Sequence, residues 1–256
     1  MTDERPRARL AVAPGTLAAG PREIIGTDHH YLFRVRRLPE GALVELFDGA
    51  GLRARGRVRT VARDRAVVDL EPPEPAPVEA PLAITVLVSL IKGERMEWCV
   101  QKLVELGAAR VVPVRAARSV VRLEGARAEA RQRRLQSIAA DAARQCGRAV
   151  VPEVAPITDL AQAVADAAGA ELRVLLDETE PERGLAALVR PPLATAAVLI
   201  GPEGSLSDEE RAVAARAGFE AAGLGPRILR AETAAIAAVA ALQVLAGDLA
   251  APAAGI

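Results

Sequence analysis

Sulfur, aromatic rings and lysine are all scarce in this chain. Of its 256 residues only two are cysteine, Cys99 and Cys146. Two thiols make neither a disulfide framework nor a metal-ligand cluster, so no metal is expected. The two histidines, His29 and His30, are adjacent and carry no metal spacing around them. Aromatics are confined to Trp98, Tyr31, Phe33, Phe47 and Phe219. So few rings argue against a base-stacking platform of the single-strand-binding kind. No apolar run reaches the about eighteen residues that crossing a bilayer takes. Met1-Thr2-Asp3-Glu4-Arg5 lead into no signal-peptide apolar region. A protein without membrane association, in the reducing cytoplasm, is the expectation. No Gly-x-Gly-x-x-Gly loop follows the apolar stretch Ile84–Leu90; the next residues read Ile91-Lys92-Gly93-Glu94-Arg95. A P-loop is missing too. These absences exclude a dinucleotide enzyme, an NTPase and a Rossmann-type methyltransferase.

What the chain does have is unevenly placed charge. The net charge is zero overall. Residues 81–150, however, hold 13 Lys+Arg against 6 Asp+Glu, and residues 151–256 hold 7 against 15. A basic middle third suits a phosphate-binding surface, or else a solvated helix face. Only Lys92 and Lys102 are lysine; the rest is arginine, which grips phosphate in bidentate fashion.

Glu71-Pro72-Pro73-Glu74-Pro75-Ala76-Pro77 is the clearest boundary, since proline at this density fits neither a helix nor a central strand. It reads as a stiff linker between a domain over 1–72 and another over 80–256. Before it, short alternating runs at 42–47, 53–58 and 66–70 predict strands of a small β-barrel. One helix is expected over His29–Arg37, capped by Thr27 or Asp28. Beyond the linker, strands (84–90, 110–114, 172–176, 196–200, about 219–224) alternate with helices (94–106, about 126–146, one after Ser207, about 233–248). That alternation predicts an α/β fold, a mainly parallel sheet with helices on both faces.

Two apolar strands near the C-terminus end in Gly-Pro turns that feed helices: Val198-Leu199-Ile200-Gly201-Pro202-Glu203-Gly204 and Leu224-Gly225-Pro226-Arg227-Ile228-Leu229-Arg230. Placed at the carboxyl ends of neighbouring strands, such turns form a cofactor site, because open α/β sheets bind ligands there. The second is apolar where a plain loop would be polar, so a ring system, a partner chain or the rest of the fold must cover it. Arg230-Ala231-Glu232-Thr233 sets a cation, an anion and a hydroxyl at a helix start; Thr233 or Glu232 caps that helix, or Arg230 and Glu232 face a reacting base. Arg144-Gln145-Cys146-Gly147-Arg148 offers contacts to phosphate or base, with Cys146 read as a small core residue. Asp177-Glu178 lies at the same sheet edge, as a cofactor contact or an exposed acidic turn.

On these residues the chain resembles the RsmE-type 16S ribosomal RNA methyltransferases of the SPOUT superfamily, which methylate N3 of a uridine. The resemblance takes in 30–38, Leu46-Phe47-Asp48-Gly49, Lys92-Gly93-Glu94-Arg95-Met96-Glu97, 101–107, Gln145-Cys146-Gly147-Arg148, both Gly-Pro turns and the ending 241–248. It implies a PUA-like N-terminal barrel that binds RNA, a trefoil-knotted methyltransferase domain, and a homodimer with its site at the subunit interface. S-adenosylmethionine is the implied cofactor, held by Leu176, Ile200, Gly201, Pro202, Glu203, Gly204, Leu224, Gly225, Pro226, Ile228 and Leu229. Ser205 stands where the family usually has a second glycine, and Ala231 where threonine is common.

Arg230 is the expected stabiliser of the uridine anion, with Arg9 a further candidate, and Glu232 or bulk water the proton acceptor. Arg9, Arg34, Arg144, Gln145 and Arg148 are the expected contacts to 16S rRNA in the small ribosomal subunit. The alternatives are a SPOUT methyltransferase for another RNA or atom, and a non-catalytic RNA-binding assembly factor.

Overall fold

The computed structural model describes residues 5–76, 78–178 and 183–250. It divides into two compact units. The first comprises residues up to Glu79 together with Ala143–Val151; the second holds the remainder of the described chain.

In the first unit the elements are β1 (Ala8–Ala11), β2 (Gly20–Ile25), α1 (Gly26–His29), β3 (Leu43–Phe47), β4 (Leu52–Val61), β5 (Arg65–Leu70) and β6 (Glu74–Pro75). They form one sheet in the order β1-β3-β4-β5-β2, with β6 paired to β4. The alternation along β4 has a direct physical outcome. Ala54 and Val58 point inward and are buried, while Arg53, Arg55, Arg57 and Arg59 take the other face. Leu10, Leu32, Leu46, Val58 and Val68 meet in a single core. No hydrogen-bonded pair joins β1 to β2 among the described residues, so the expected barrel is open at that edge.

Two local expectations need correction. The helix begins at Gly26, with Ile25 at its N-cap and no side-chain cap from Thr27 or Asp28. It widens into a π-helical segment over His30–Val35, in which Leu32 and Phe33 are buried. Burial of this face outweighs the capping preference. The proline-rich stretch is not simply a linker: Arg53 pairs with Glu74 and Leu52 with Pro75 in β6. Proline is tolerated there because an edge strand has ladder positions that need no donor. Pro77 lies outside the described residues.

The second unit runs β7 (Ala83–Ser89), α2 (Glu94–Glu105), β8 (Ala108–Arg115), α3 (Gly125–Cys146), β9 (Glu153–Val154), β10 (Thr158–Asp159), α4 (Leu160–Asp166), β11 (Leu172–Leu176), β12 (Thr195–Ile200), α5 (Asp208–Arg216), β13 (Glu220–Ala222) and α6 (Ala231–Ala246). The sheet order is β10-β8-β7-β12-β11-β13, with β9 on β8. Every pair in it is parallel. The central strands are continuous runs of Val, Ile, Leu and Ala because both of their faces are covered. Met96, Cys99, Val100 and Leu103, spaced at helical period, are the buried stripe of α2. Leu87, Val114, Leu160, Leu175, Leu199 and Phe219 form a core cluster.

α5 opens with the expected capping box. Glu210 N–H donates to Ser207 Oγ at 3.2 Å, and Ser207 N–H to Glu210 Oε2 at 2.9 Å. α6 starts earlier than expected, with Arg230 in the N-cap position and neither Glu232 nor Thr233 acting as cap. From the edge strand β13 the chain returns so that α6 packs on α2, β7 and β12.

Candidate active site

Three parallel strands end level with one another. Leu176, the last residue of β11, is the register partner of both Ile200 at the end of β12 and Ala222 at the end of β13. The two Gly-Pro turns therefore do not follow adjacent strands. β11 lies between them, because the β12-α5-β13 crossover steps over one strand. Their loops flank Asp177 and Glu178 at the carboxyl edge of the sheet and enclose a cleft of about 290 Å³. That is at the small end for a small-molecule site.

Leu176, Ile200, Gly201, Pro202, Glu203, Leu224, Gly225, Pro226, Ile228, Leu229 and Arg230 all line this cleft. Gly204 and Glu232 do not. Arg227, inside the second turn but not singled out there, lines it as well, and so do Leu206 and Arg211, to which no signal in the sequence pointed.

The first loop is a tight turn. Ser205 N–H donates to the Pro202 carbonyl at 2.9 Å, and Ser89 Oγ anchors the Ile200 carbonyl at 3.0 Å. A Cβ on Gly201 would sit 3.3 Å from Leu206 Cγ, so the close approach favours glycine. Ser205 adopts φ +59°, a left-handed conformation natural to glycine. Its hydroxyl donates to the Glu178 carboxylate across the cleft mouth. In the second loop Gly225 takes φ +87° with open space around it, so its requirement is conformational.

Charged groups in and around the cleft are mostly engaged. Arg211 Nε lies 2.9 Å from Asp177 Oδ2, and Asp177 is 8% exposed. Arg118 Nη1 donates to the Gly204 carbonyl at 3.2 Å. Glu232, 5% exposed, faces α2, where Arg95 Nη1 lies 3.5 Å from its Oε1. Burial, and then the Glu232 charge, push the Cys99 thiol up to about 12, so it stays protonated. The Arg230 guanidinium, in contrast, is exposed, and among the described residues no hydrogen bond or ion pair engages it. Among the described residues there is no cluster of three His, Cys, Asp or Glu able to hold a metal.

The residues expected to touch RNA fall into two groups within the first unit. Arg9 is committed to structure. Its Nε lies 2.7 Å from Glu45 Oε1, and its Nη1 donates to the carbonyls of Ala143, Arg144 and Arg148 at 3.1–3.2 Å. The guanidinium also stacks 4.6 Å above Phe47. Arg148, 6% exposed, grips Glu79 at 2.7 and 3.0 Å. Arg34 and Gln145 are exposed, and Arg144 lies over the Tyr31 ring while donating to its hydroxyl at 2.9 Å. Cys146, read from sequence as a core residue, is exposed at the end of α3. The helix end turns its last residues outward there.

A parallel α/β sheet with a cleft between glycine-proline loops, in a chain that also carries a small, mainly antiparallel β unit, is the architecture of an RNA methyltransferase with an attached PUA domain. Residues 78–243 match the family model for the RNA methyltransferase domain, and residues 24–71 that for the RNA methyltransferase PUA domain. The chain is 31% identical to ribosomal RNA small subunit methyltransferase E of Bacillus subtilis over 235 residues, 88% of this chain and 92% of that one. The enzyme of the same name from Neisseria gonorrhoeae, solved bound to S-adenosylmethionine, superimposes with a TM-score of 0.85 at 32% identity, covering 94% of this chain and 99% of that one. A methyltransferase from Legionella pneumophila, also solved with S-adenosylmethionine, gives a TM-score of 0.84 at 32% identity, covering 96% and 100%. The chain belongs to the ribosomal RNA small subunit methyltransferase E family.

Proposed function

We propose that this protein transfers a methyl group from S-adenosylmethionine to N3 of a uridine in 16S ribosomal RNA of the small subunit. The observation that carries the reading is the cleft at the level ends of β11, β12 and β13, with Arg230 at its rim, engaged by no hydrogen bond or ion pair among the described residues. Its donor set fits the cofactor. Leu176, Ile200, Leu224 and Leu229 offer apolar walls to a purine, and the backbone of the Gly201 and Gly225 loops offers donors and acceptors at close range. The cofactor supplies an electrophilic methyl carbon on a sulfonium.

The chain's own residues supply position and charge. The apolar walls keep water from the methyl donor and align it for in-line attack, a positioning effect of large size. Arg230, at the N-cap of α6, stabilises the negative charge shared by N3 and its flanking carbonyls as the N3 proton leaves. That proton goes to solvent rather than to Glu232, whose carboxylate is buried against Arg95 outside the cleft. N3 is a Watson–Crick edge atom, so the uridine reaches the cleft unpaired. In this reading residues 1–72 bind RNA and residues 80–256 carry the methyl transfer. Arg34, Arg144 and Gln145 touch the RNA. Arg9 and Arg148 act by holding the segment that presents Arg144 and Gln145.

The reading extends to a trefoil knot, supported by the return of the chain from β13 to the sheet centre. It extends also to a homodimer, supported by Trp98, Val244, Leu245 and Leu249, which are exposed at and beside the packed pair α2 and α6, and to the cytoplasm as the place where the ribosomal RNA is met. Mass mapping of 16S RNA from a deletion strain tests the assignment. Loss of one N3-methyluridine, restored by the wild-type gene, is the expected result. An intact modification map, or loss of a methyl at another atom, refutes it. In the purified protein, Arg230→Ala keeps S-adenosylmethionine binding but lowers turnover on small subunits by about a hundredfold.

A further inference from the structure

We propose that Arg95 is a positioning residue that locks the two cofactor loops to one another from outside the cleft, an inference that rests on the cofactor reading above. A single guanidinium on α2 joins the first loop to the start of α6, the helix that the second loop leads into. Its Nη2 lies 2.9 Å from Glu203 Oε1 in the first loop, and its Nη1 lies 3.5 Å from Glu232 Oε1 in the opening turn of α6. Glu203 lines the cleft; Arg95 and Glu232 do not.

The two halves of this bridge differ in weight. Glu203 and Arg95 are both more than a third exposed, so their attraction is screened and serves chiefly to set distance. Glu232 is buried with its side chain 6% exposed, and its Oε2 has no hydrogen-bond partner among the described residues. A carboxylate in that position needs a counter-charge, and Arg95 is the cation paired with it. One turn further along α2, the protonated thiol of Cys99 adds no charge of its own. Glu232 stands two residues after Arg230 in the same opening turn of α6. Anchoring Glu232 therefore anchors the backbone from which Arg230 projects, while the hold on Glu203 fixes the facing wall. Lysine cannot replace this arrangement, since an ammonium is a point charge and lacks the planar fork that reaches two carboxylates at once.

A double-mutant cycle on the full-length protein tests the bridge, with affinity for S-adenosylmethionine read by titration calorimetry. Arg95→Lys keeps a counter-charge beside Glu232 and so preserves the fold, yet is expected to weaken the cofactor about tenfold. Glu203→Gln weakens binding in the wild-type background and adds nothing further in the Arg95→Lys background. Affinity for ribosomal RNA, measured separately, stays unchanged in every variant. Additive effects of the two substitutions, or an Arg95→Lys protein that binds the cofactor as tightly as wild type, overturn the proposal. The thermal midpoint without cofactor gives a second reading: Arg95→Ala is less destabilising in a Glu232→Gln background than alone, and equal losses in both backgrounds also overturn it. A wild-type protein that takes no S-adenosylmethionine sinks the cofactor reading, and this inference with it.

Discussion

Ser205, at a position where the family resemblance implies a glycine, takes a glycine-like backbone conformation. A left-handed φ of +59° costs a side chain about 1 kcal/mol relative to glycine, and the serine offsets part of that by donating to Glu178. Ser205→Ala keeps the strain and removes the hydrogen bond, so it is expected to unfold at lower denaturant than Ser205→Gly. A reversed order in urea titrations would show that the turn carries no strain. The cysteines separate at the same scale. Cys99 is fully buried, and its thiol is raised from 9.0 to about 12, whereas Cys146 is exposed. A thiol reagent at pH 8 is therefore expected to modify Cys146 alone until the protein is denatured, as peptide mapping would show. Because the folded thiol has the higher value, its contribution to stability is complete below about pH 9 and fades as pH rises toward 12.

At the scale of elements, local chemistry and tertiary packing divide the work. The capping box of α5 is local: Ser207 and Glu210 satisfy each other's backbone neighbours, and Ser207→Ala should cost about 1 kcal/mol by urea unfolding. The stripe on α2 and the strands 172–176 and 196–200 were legible for the same reason, since their spacing repeats the geometry of a helix or of a buried strand. β1, β2 and α4 went unread. β1 has only four residues, and α4 is a short, alanine-rich helix whose burial comes from its neighbours rather than from its own pattern. The start of α1 was misplaced because two good capping residues, Thr27 and Asp28, lie inside a segment whose position is set by burial of Leu32 and Phe33.

On the scale of the whole chain, the arginines divide by what they touch. Arg9 closes a network of a buried carboxylate and three carbonyls, so Arg9→Ala is expected to lose about 3 kcal/mol of stability in denaturant titrations. Arg34 is exposed and its one bond, to the Arg63 carbonyl, is open to water, so Arg34→Ala should change stability little and lower the salt dependence of RNA affinity by about one unit of slope. If instead Arg34→Ala destabilised the fold and left RNA affinity unmoved, the division would be wrong. Nothing in the charge pattern separates these two arginines. Each sits in a basic, alternating stretch, and only the fold reveals that one is enclosed against Glu45 while the other stays exposed, held by a single bond to the Arg63 carbonyl at 2.9 Å.

The chain's own order of residues determined the class of fold, the place of the cleft and most of its lining. Those follow from short-range rules: apolar runs make buried strands, and Gly-Pro turns end them. Tertiary structure alone decided that β11 stands between the two loops, that residues 143–151 join the first unit, and that Glu232 turns toward Arg95 instead of the cleft. Each of these depends on groups far apart along the chain, and the energy that selects among them, burial of a charge or a strand edge, has no local signature.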